Sequence, residues 1–264
     1  MKDYLNIAIK ASVEAGKEIL KIYDKDFQIT KKEDQSPLTE ADTASNNIID
    51  SYLIDTQIPI IGEEIKNMPY SERMTWNTCW IVDPLDGTKE FIKRNGEFTV
   101  NIALVKNGTA VLGVIYVPVT RELYYADVDQ KQAFKVKLNE MHELNGNLYE
   151  KDNLIHPSSI NSDLLRIVGS RSHMNDDTLD FIEEQKNLYK NIDIVSKGSS
   201  LKFCLVAEGK ADIYPRFAPT MEWDTAAGHA ICKAVGLKVI SKETNKELLY
   251  NKENLLNSYF VVKK

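Results

Sequence analysis

Leu5, Ala8, Ala11, Ala15, Ile19 and Ile22 recur every three or four positions, which predicts an amphipathic helix near the start of the chain. Thr39-x-x-Asp42, just after Pro37, predicts the opening of a second helix with Ile48, Ile49, Tyr52 and Leu53 on its apolar face. Two short apolar runs follow, Ile58 to Ile61 and Trp80 to Val82, and both read as buried strands. Phe98 to Val105 and Ala110 to Val117 flank Lys106-Asn107-Gly108, and an Asn-Gly step between apolar runs predicts a hairpin. Leu123 to Ala126 adds a further antiparallel strand.

From Asp127 to Asp163 the periodicity dissolves into charged and polar residues, which reads as an excursion between two lobes. Beyond it, strands and helices alternate. Arg166 to Gly169 and Ile192 to Val195 read as strands, with a helix near Asp177 to Gln185 between them. A helix from Ser199 to Glu208, a short strand at Ile213-Tyr214 and a helix from Thr225 to Val235 come next, and Lys238 to Ile240 and Tyr259 to Val262 close the chain as strands. The sum is a mixed α/β (α+β) chain of two lobes: 1–150, an N-terminal α+β lobe, and 151–264, a C-terminal α/β lobe.

Composition narrows the function classes. With 264 residues, 43% hydrophobic and 27% charged, the chain has the make-up of a globular enzyme. A net charge of −6 without a basic stripe argues against nucleic acid as the main partner, while leaving room for a small phosphorylated substrate. Cys79, Cys204 and Cys232 form no C-x-x-C pair, which fits reduced, buried thiols in a cytoplasmic protein. The beginning, Met1-Lys2-Asp3-Tyr4, lacks a long apolar stretch, so secretion is not expected. No run approaches the ~20 apolar residues of a membrane span.

The chemistry concentrates in two acidic clusters, Gly62-Glu63-Glu64 and Asp83-Pro84-Leu85-Asp86-Gly87-Thr88, each placed directly after a predicted buried strand. Carboxylates delivered to one place repel each other unless a cation lies between them. Glu63, Asp83 and Asp86 are hard oxygen donors of the type Mg²⁺ prefers, and none of the four histidines stands at a ligand spacing. Pro84 stiffens the turn and leaves the Leu85 carbonyl available to a cation, while Gly87 permits close approach of a ligand to the backbone. A helix beginning near Thr88 would favour a phosphate at its start.

Either acidic cluster alone would more often be surface charge or a solvated turn; their joint placement at strand ends favours a site. Asp42 is fully explained by spacing as the capping-box acid for Thr39. Asp224, in Glu222-Trp223-Asp224-Thr225-Ala226-Ala227-Gly228, stands near a helix start, where an acid is ordinary. Gly198-Ser199-Ser200-Leu201-Lys202 suits either a helix cap or a second phosphate, and Arg216, among apolar neighbours, suits a held carboxylate or phosphate.

At these residues the chain resembles the inositol monophosphatase superfamily of Mg²⁺-dependent, lithium-sensitive phosphatases. Its marks are the Glu-Glu element, Asp-Pro-x-Asp-Gly-Thr, and Trp-Asp followed by small residues, present here in that order. Trp80 through Asn101, Gly198 through Cys204 and Tyr214-Pro215-Arg216-Phe217 resemble the CysQ-type 3′(2′),5′-bisphosphate nucleotidase branch. The resemblance implies a layered αβαβα sandwich of the inositol monophosphatase and sugar phosphatase fold. It implies two or three Mg²⁺ held by Glu63, Asp83, the Leu85 carbonyl, Asp86 and Asp224. Asp42 and Thr88 would orient and activate the attacking water, a role that displaces the spacing-only reading of Asp42, and Glu63 would join them in catalysis. Glu63, Leu85, Asp86, Gly87, Thr88, His173, Ser200, Lys202, Arg216 and Asp224 would face the substrate.

The implied reaction removes the 3′-phosphate of adenosine 3′,5′-bisphosphate to give AMP, with the 3′-phosphosulfate relative as a second substrate. Inositol or sugar monophosphate hydrolysis at the same metals is one alternative; Lys89, Lys202 and Arg216 weigh against it, since extra cations serve a second phosphate. A non-catalytic nucleotide and metal sensor is another, disfavoured by the retention of both Asp42 and Thr88. A homodimer, and a peripheral place at the inner face of the cell membrane, stay open, because 127–161 departs from the branch.

Overall fold

The computed structural model describes residues 1–25, 29–31, 37–144, 146–159, 163–170 and 175–264. Two helices, α1 (Lys2–Tyr23) and α2 (Glu40–Leu53), are separated by the short antiparallel strands β1 (Ile29–Lys31) and β2 (Pro37–Thr39). Then come β3 (Ile60–Gly62), the single turn α3 (Tyr70–Arg73), β4 (Thr78–Asp86) and α4 (Thr88–Ile92). A meander follows: β5 (Thr99–Lys106), β6 (Thr109–Val117), β7 (Glu122–Asp127) and β8 (Gln132–Lys137). The remainder alternates β9 (Leu164–Ser170), α5 (Asp176–Lys186), β10 (Asn191–Lys197), α6 (Leu201–Ala207), β11 (Tyr214–Arg216), α7 (Ala226–Ala234), β12 (Lys238–Ser241) and β13 (Phe260–Lys263).

Strands β3 to β8 form one six-stranded sheet in sequence order, parallel between β3 and β4 and antiparallel elsewhere. The Asn-Gly hairpin forms as expected, with Asn107 and Gly108 at φ 49° and 74°, the left-handed pair that such a turn requires. Period-two alternation then sends side chains to two different cores. Trp80, Val82, Ile102, Leu104 and Val114 pack on α1 and α2, while Cys79, Ile81, Ala103, Val105 and Ile115 pack with α6 and α7. Tyr214, Val239, Phe260 and Val262, from the three-stranded sheet β11-β13-β12, close the second core on its far side. Parallel strands β9 and β10 extend this layer through the Ile167–Ile213 bridge, and α5 covers it with Phe181 and Ile182. Helix, sheet, helix, sheet, helix is therefore the layering, and the mixed α/β class expected from the sequence is the one observed. All three cysteines are unpaired and buried, and burial pushes the Cys79 thiol up to about 12.

Helix α7 rides unusually close to the sheet. A Cβ on Gly113 of β6 would lie 2.3 Å from the Ala227 carbonyl oxygen, and one on Gly228 would lie 2.3 Å from Cγ of Phe203 in α6. The helix is pinned between the two, and Asp224 stands just before its first turn. Gly113→Ala is expected to cost about 1–3 kcal/mol, as overpacking does. A melting curve checks this; an unchanged Tm would mean that α7 can shift without penalty.

Candidate metal and phosphate site

Two carboxylates three positions apart on a regular strand point to opposite faces. In β4 they do not. Asp83 pairs with Asn101 and Asp86 with Thr99, so three steps on β4 oppose two on β5 and the register shifts between them. The extra residue restores parity and brings both carboxylates to one side. Ser45 of α2 holds this turn by donating to the Pro84 carbonyl at 2.6 Å, and the Leu85 amide donates to Asp83 Oδ1 at 3.0 Å.

Asp224 reaches the same place from the loop before α7, where its Oδ2 accepts from the Met221 amide at 2.8 Å. Ligand atoms of Asp83, Asp86 and Asp224 all lie within 4.8 Å of one another. Asp83 is 1% exposed, and burial raises its pKa well above the usual range, with Glu63, Asp86 and Asp224 pushing the same way. Asp224 is raised too, by burial and then by Asp86. Glu63, next to the end of β3, thus acts on both groups through its charge, although the tight cluster is made by the three aspartates. An all-oxygen cluster that disfavours its own ionisation fits a hard divalent cation, which would remove the repulsion.

Asp42 is 1% exposed and does two things at once. Its Oδ2 accepts from the Thr39 amide at 2.8 Å and the Thr39 hydroxyl at 2.7 Å, completing the capping box of α2. Its Oδ1 accepts from the Thr88 hydroxyl at 3.2 Å. Cap and site contact coexist on one carboxylate, so the spacing and the resemblance each describe half of the arrangement.

Gly87 takes φ 97°, and its missing Cβ leaves room for the Glu97 carbonyl at 3.2 Å and Ser199 Cβ at 3.3 Å. It lies on the rim of a cleft bordered by Asp86, Lys89, Ser200, Lys202, Arg216 and Asp224. Ser200 stands at the junction, its Oγ 2.6 Å from Asp86 Oδ2 and 2.9 Å from the Asp224 carbonyl. Lys202 is 4% exposed, donates to the Lys197 and Ser199 carbonyls, and is brought down to about 8 chiefly by burial. Arg216 donates from Nη2 to the Pro219 carbonyl at 3.1 Å, while its buried Nε has no hydrogen-bond partner. Ser199 Oγ is likewise buried and unpartnered beside it. His173 lies outside the described residues.

Asn101 enters the sequence motifs only as the end of a string, and its role at the site is missed there. Its Nδ2 lies 3.2 Å from Asp86 Oδ2 and 2.9 Å from Ser200 Oγ, and Thr99 fixes its other end with a 3.0 Å hydrogen bond to Oδ1. The signal present in the chain is its position two residues after Thr99, on a strand facing the acidic turn.

The profile of the Inositol monophosphatase family matches residues 1–260, and the chain belongs to that family. Two curated relatives are named "3′(2′),5′-bisphosphate nucleotidase CysQ". That of Salmonella typhimurium is 42% identical over 253 residues, covering 94% of each chain. That of Escherichia coli K12 is 41% identical over 254 residues, again covering 94% of each. Among solved structures, CysQ from Bacteroides thetaiotaomicron, described as a bacterial member of the inositol monophosphatase family, superposes with a TM-score of 0.87 at 47% identity, over 100% of this chain and 97% of that one. An inositol monophosphatase from Zymomonas mobilis, 20% identical with a TM-score of 0.75 over 99% of this chain and 92% of that one, shares the fold. The superfamily and branch resemblance is therefore borne out, and the chain is an enzyme of the phosphatase type. Among the described residues, no helix is long and apolar enough to cross a membrane.

Proposed function

We propose that this protein is a Mg²⁺-dependent nucleotidase that hydrolyses the 3′-phosphate of adenosine 3′,5′-bisphosphate to AMP and phosphate, and that it accepts the 3′-phosphosulfate relative as well. One observation carries the reading: Asp86 and Asp224 belong both to the carboxylate cluster and to the wall of a cleft furnished with Lys89, Lys202 and Arg216. A ligand with one phosphate at the cluster and another among the cations satisfies both halves, and the relatives' name describes such a ligand.

Glu63, Asp83, the Leu85 carbonyl, Asp86 and Asp224 would hold the metal. Bound there, a divalent cation offsets charge developing on the phosphoryl oxygens and makes a water molecule more acidic. The chain's own residues do the rest. Thr88, donating its hydroxyl proton to Asp42 Oδ1, keeps its oxygen free to accept a hydrogen bond from the attacking water. Asp42, held by Thr39, cannot rotate away and receives the proton in turn. Amides of Gly87 and Thr88 hold the scissile phosphate. Residues 151–264 contribute Ser200, Lys202, Arg216 and Asp224, so the second lobe supplies the nucleotide end and the last carboxylate.

Phosphate release from adenosine 3′,5′-bisphosphate and from inositol 1-phosphate, each with Mg²⁺ and with chelator, tests the reading. A kcat/KM at least roughly tenfold higher for the bisphosphate, about 1.4 kcal/mol of discrimination, is expected, with no release under chelation and inhibition by lithium. Equal rates on the two substrates would overturn the branch-level activity; release unaffected by chelation would overturn the metal.

A further inference from the structure

Glu63 and Asp224 arrive at the site from loops far apart in the sequence, and a chain of hydrogen-bonded side chains, two of them buried and two half-buried, joins those loops. Asn67 folds back onto Gly62, the residue before Glu63: the Gly62 amide donates to Asn67 Oδ1 at 3.0 Å, and Asn67 Nδ2 donates to the Gly62 carbonyl at 2.9 Å. The next residue, Met68, presents its carbonyl to Arg73 Nε at 2.8 Å. Arg73, 4% exposed, donates from Nη1 to Asn251 Oδ1 at 2.8 Å and to the Lys252 carbonyl at 3.0 Å, and Asn251 Nδ2 returns to the Arg73 carbonyl at 2.7 Å.

From the other side, Glu222, fully buried, accepts from the Asn251 amide at 2.6 Å and from the Lys252 amide and ammonium at 3.0 and 2.6 Å. Glu222 lies two residues before Asp224. Asn251 and its neighbours are thus gripped between a buried guanidinium and a buried carboxylate. Burying two charges is costly unless their polar atoms find partners, and here each guanidinium nitrogen of Arg73 and each carboxylate oxygen of Glu222 has at least one. The network thus ends on the residue before Glu63 and two residues before Asp224.

We propose that Asn67, Arg73, Asn251 and Glu222 form one positioning tie that sets the separation of Glu63 from Asp224 and thereby the affinity for the divalent cation. The tie rests on the metal reading given above. None of the four side chains belongs to the aspartate cluster, so each acts through the loop it holds.

Calorimetric titration of Mg²⁺ into the chelator-stripped protein decides it, using the wild type, Asn67→Ala, Glu222→Gln, the double variant, and Leu5→Ala in the remote α1 core. Each single tie variant is expected to bind Mg²⁺ about ten- to a hundredfold more weakly, the range for residues supporting metal ligands. The double variant should lose no more than the weaker single, because both cut the same tie. Leu5→Ala should melt lower yet bind Mg²⁺ as the wild type does. Tie variants that melt lower with unchanged Mg²⁺ affinity, or losses that multiply in the double, would overturn the proposal. If Glu222→Gln does not fold, Asn67→Ala on its half-buried surface loop still separates the two outcomes. A wild type that takes up no Mg²⁺ would sink the metal reading itself and the tie with it.

Discussion

Asp83→Asn should abolish phosphate release, by about 10³-fold or more, while making the metal-free protein harder to melt. The first effect follows from removing a charged donor at the centre of the cation site, where several kcal/mol of transition-state stabilisation are at stake and about 4 kcal/mol is a thousandfold. The second follows from the environment of the carboxylate. Asp83 is buried and faces Glu63, Asp86 and Asp224, so its folded-state pKa stands above its unfolded one. Such a group is neutral and harmless at low pH; as pH rises above the unfolded value near 3.9, the unfolded chain gains stability that the native chain lacks. Asparagine keeps the Oδ1 acceptor for the Leu85 amide without the charge. A gain on the order of 1 kcal/mol, or about 2–4 °C, is expected at neutral pH and should vanish near pH 4. The variant's Tm should also stop responding to Mg²⁺. Turnover near the wild-type level at saturating Mg²⁺, or a metal-free variant less stable than the wild type, would contradict the central place given to Asp83.

Lys202→Met should raise KM for the bisphosphate by roughly ten- to a hundredfold, equivalent to about 1.5–3 kcal/mol for a hydrogen bond to a charged group. Inositol 1-phosphate, with no second phosphate, should be affected far less. Methionine preserves the length of the chain that packs near the Tyr214 ring. The pH profile adds a second readout. Because burial brings Lys202 down to about 8, it is a cation below that pH and neutral above it. Wild-type KM for the bisphosphate should therefore climb as pH rises through about 8, and the variant should lack that limb. In the ligand-free protein the sign reverses: the native chain is penalised for holding the proton below about 8, so the variant should be the more stable one at neutral pH. Equal losses on both substrates would show that Lys202 serves the fold or the reacting phosphate rather than the second one.

Much of this is visible in the chain because the central sheet is covered on both faces. Strands buried on both sides read as continuous apolar runs, and Trp80 to Val82 and Phe98 to Val105 do so. Strand β8 escapes for the opposite reason. It is the edge of the sheet and carries Gln132, Lys135 and Lys137, with Lys135 drawn to Glu122 and Glu208, so its alternation is lost among charges. Burial of the acidic turn is legible; its parity is not, since only the paired strand shows that one extra residue lies between Asp83 and Asp86. Asp42 is legible as a cap, but its second oxygen meets Thr88, 46 residues away, and no local spacing carries that contact. Arg73 and Asn251 are 178 positions apart and neither sits in a motif, so their meeting is a property of the packed molecule alone.

The depth of the three thiols bears on how this enzyme withstands oxidants. Peroxide, disulfides and alkylating reagents attack the thiolate, and a sulfhydryl brought up to about 12 is almost entirely protonated near neutrality. Cys204 and Cys232 are shifted upward as well. None of the three belongs to the aspartate cluster or lines the cleft beside it. Turnover is therefore expected to be the same with and without added reductant, and thiol labelling is expected to rise only under conditions that open the fold.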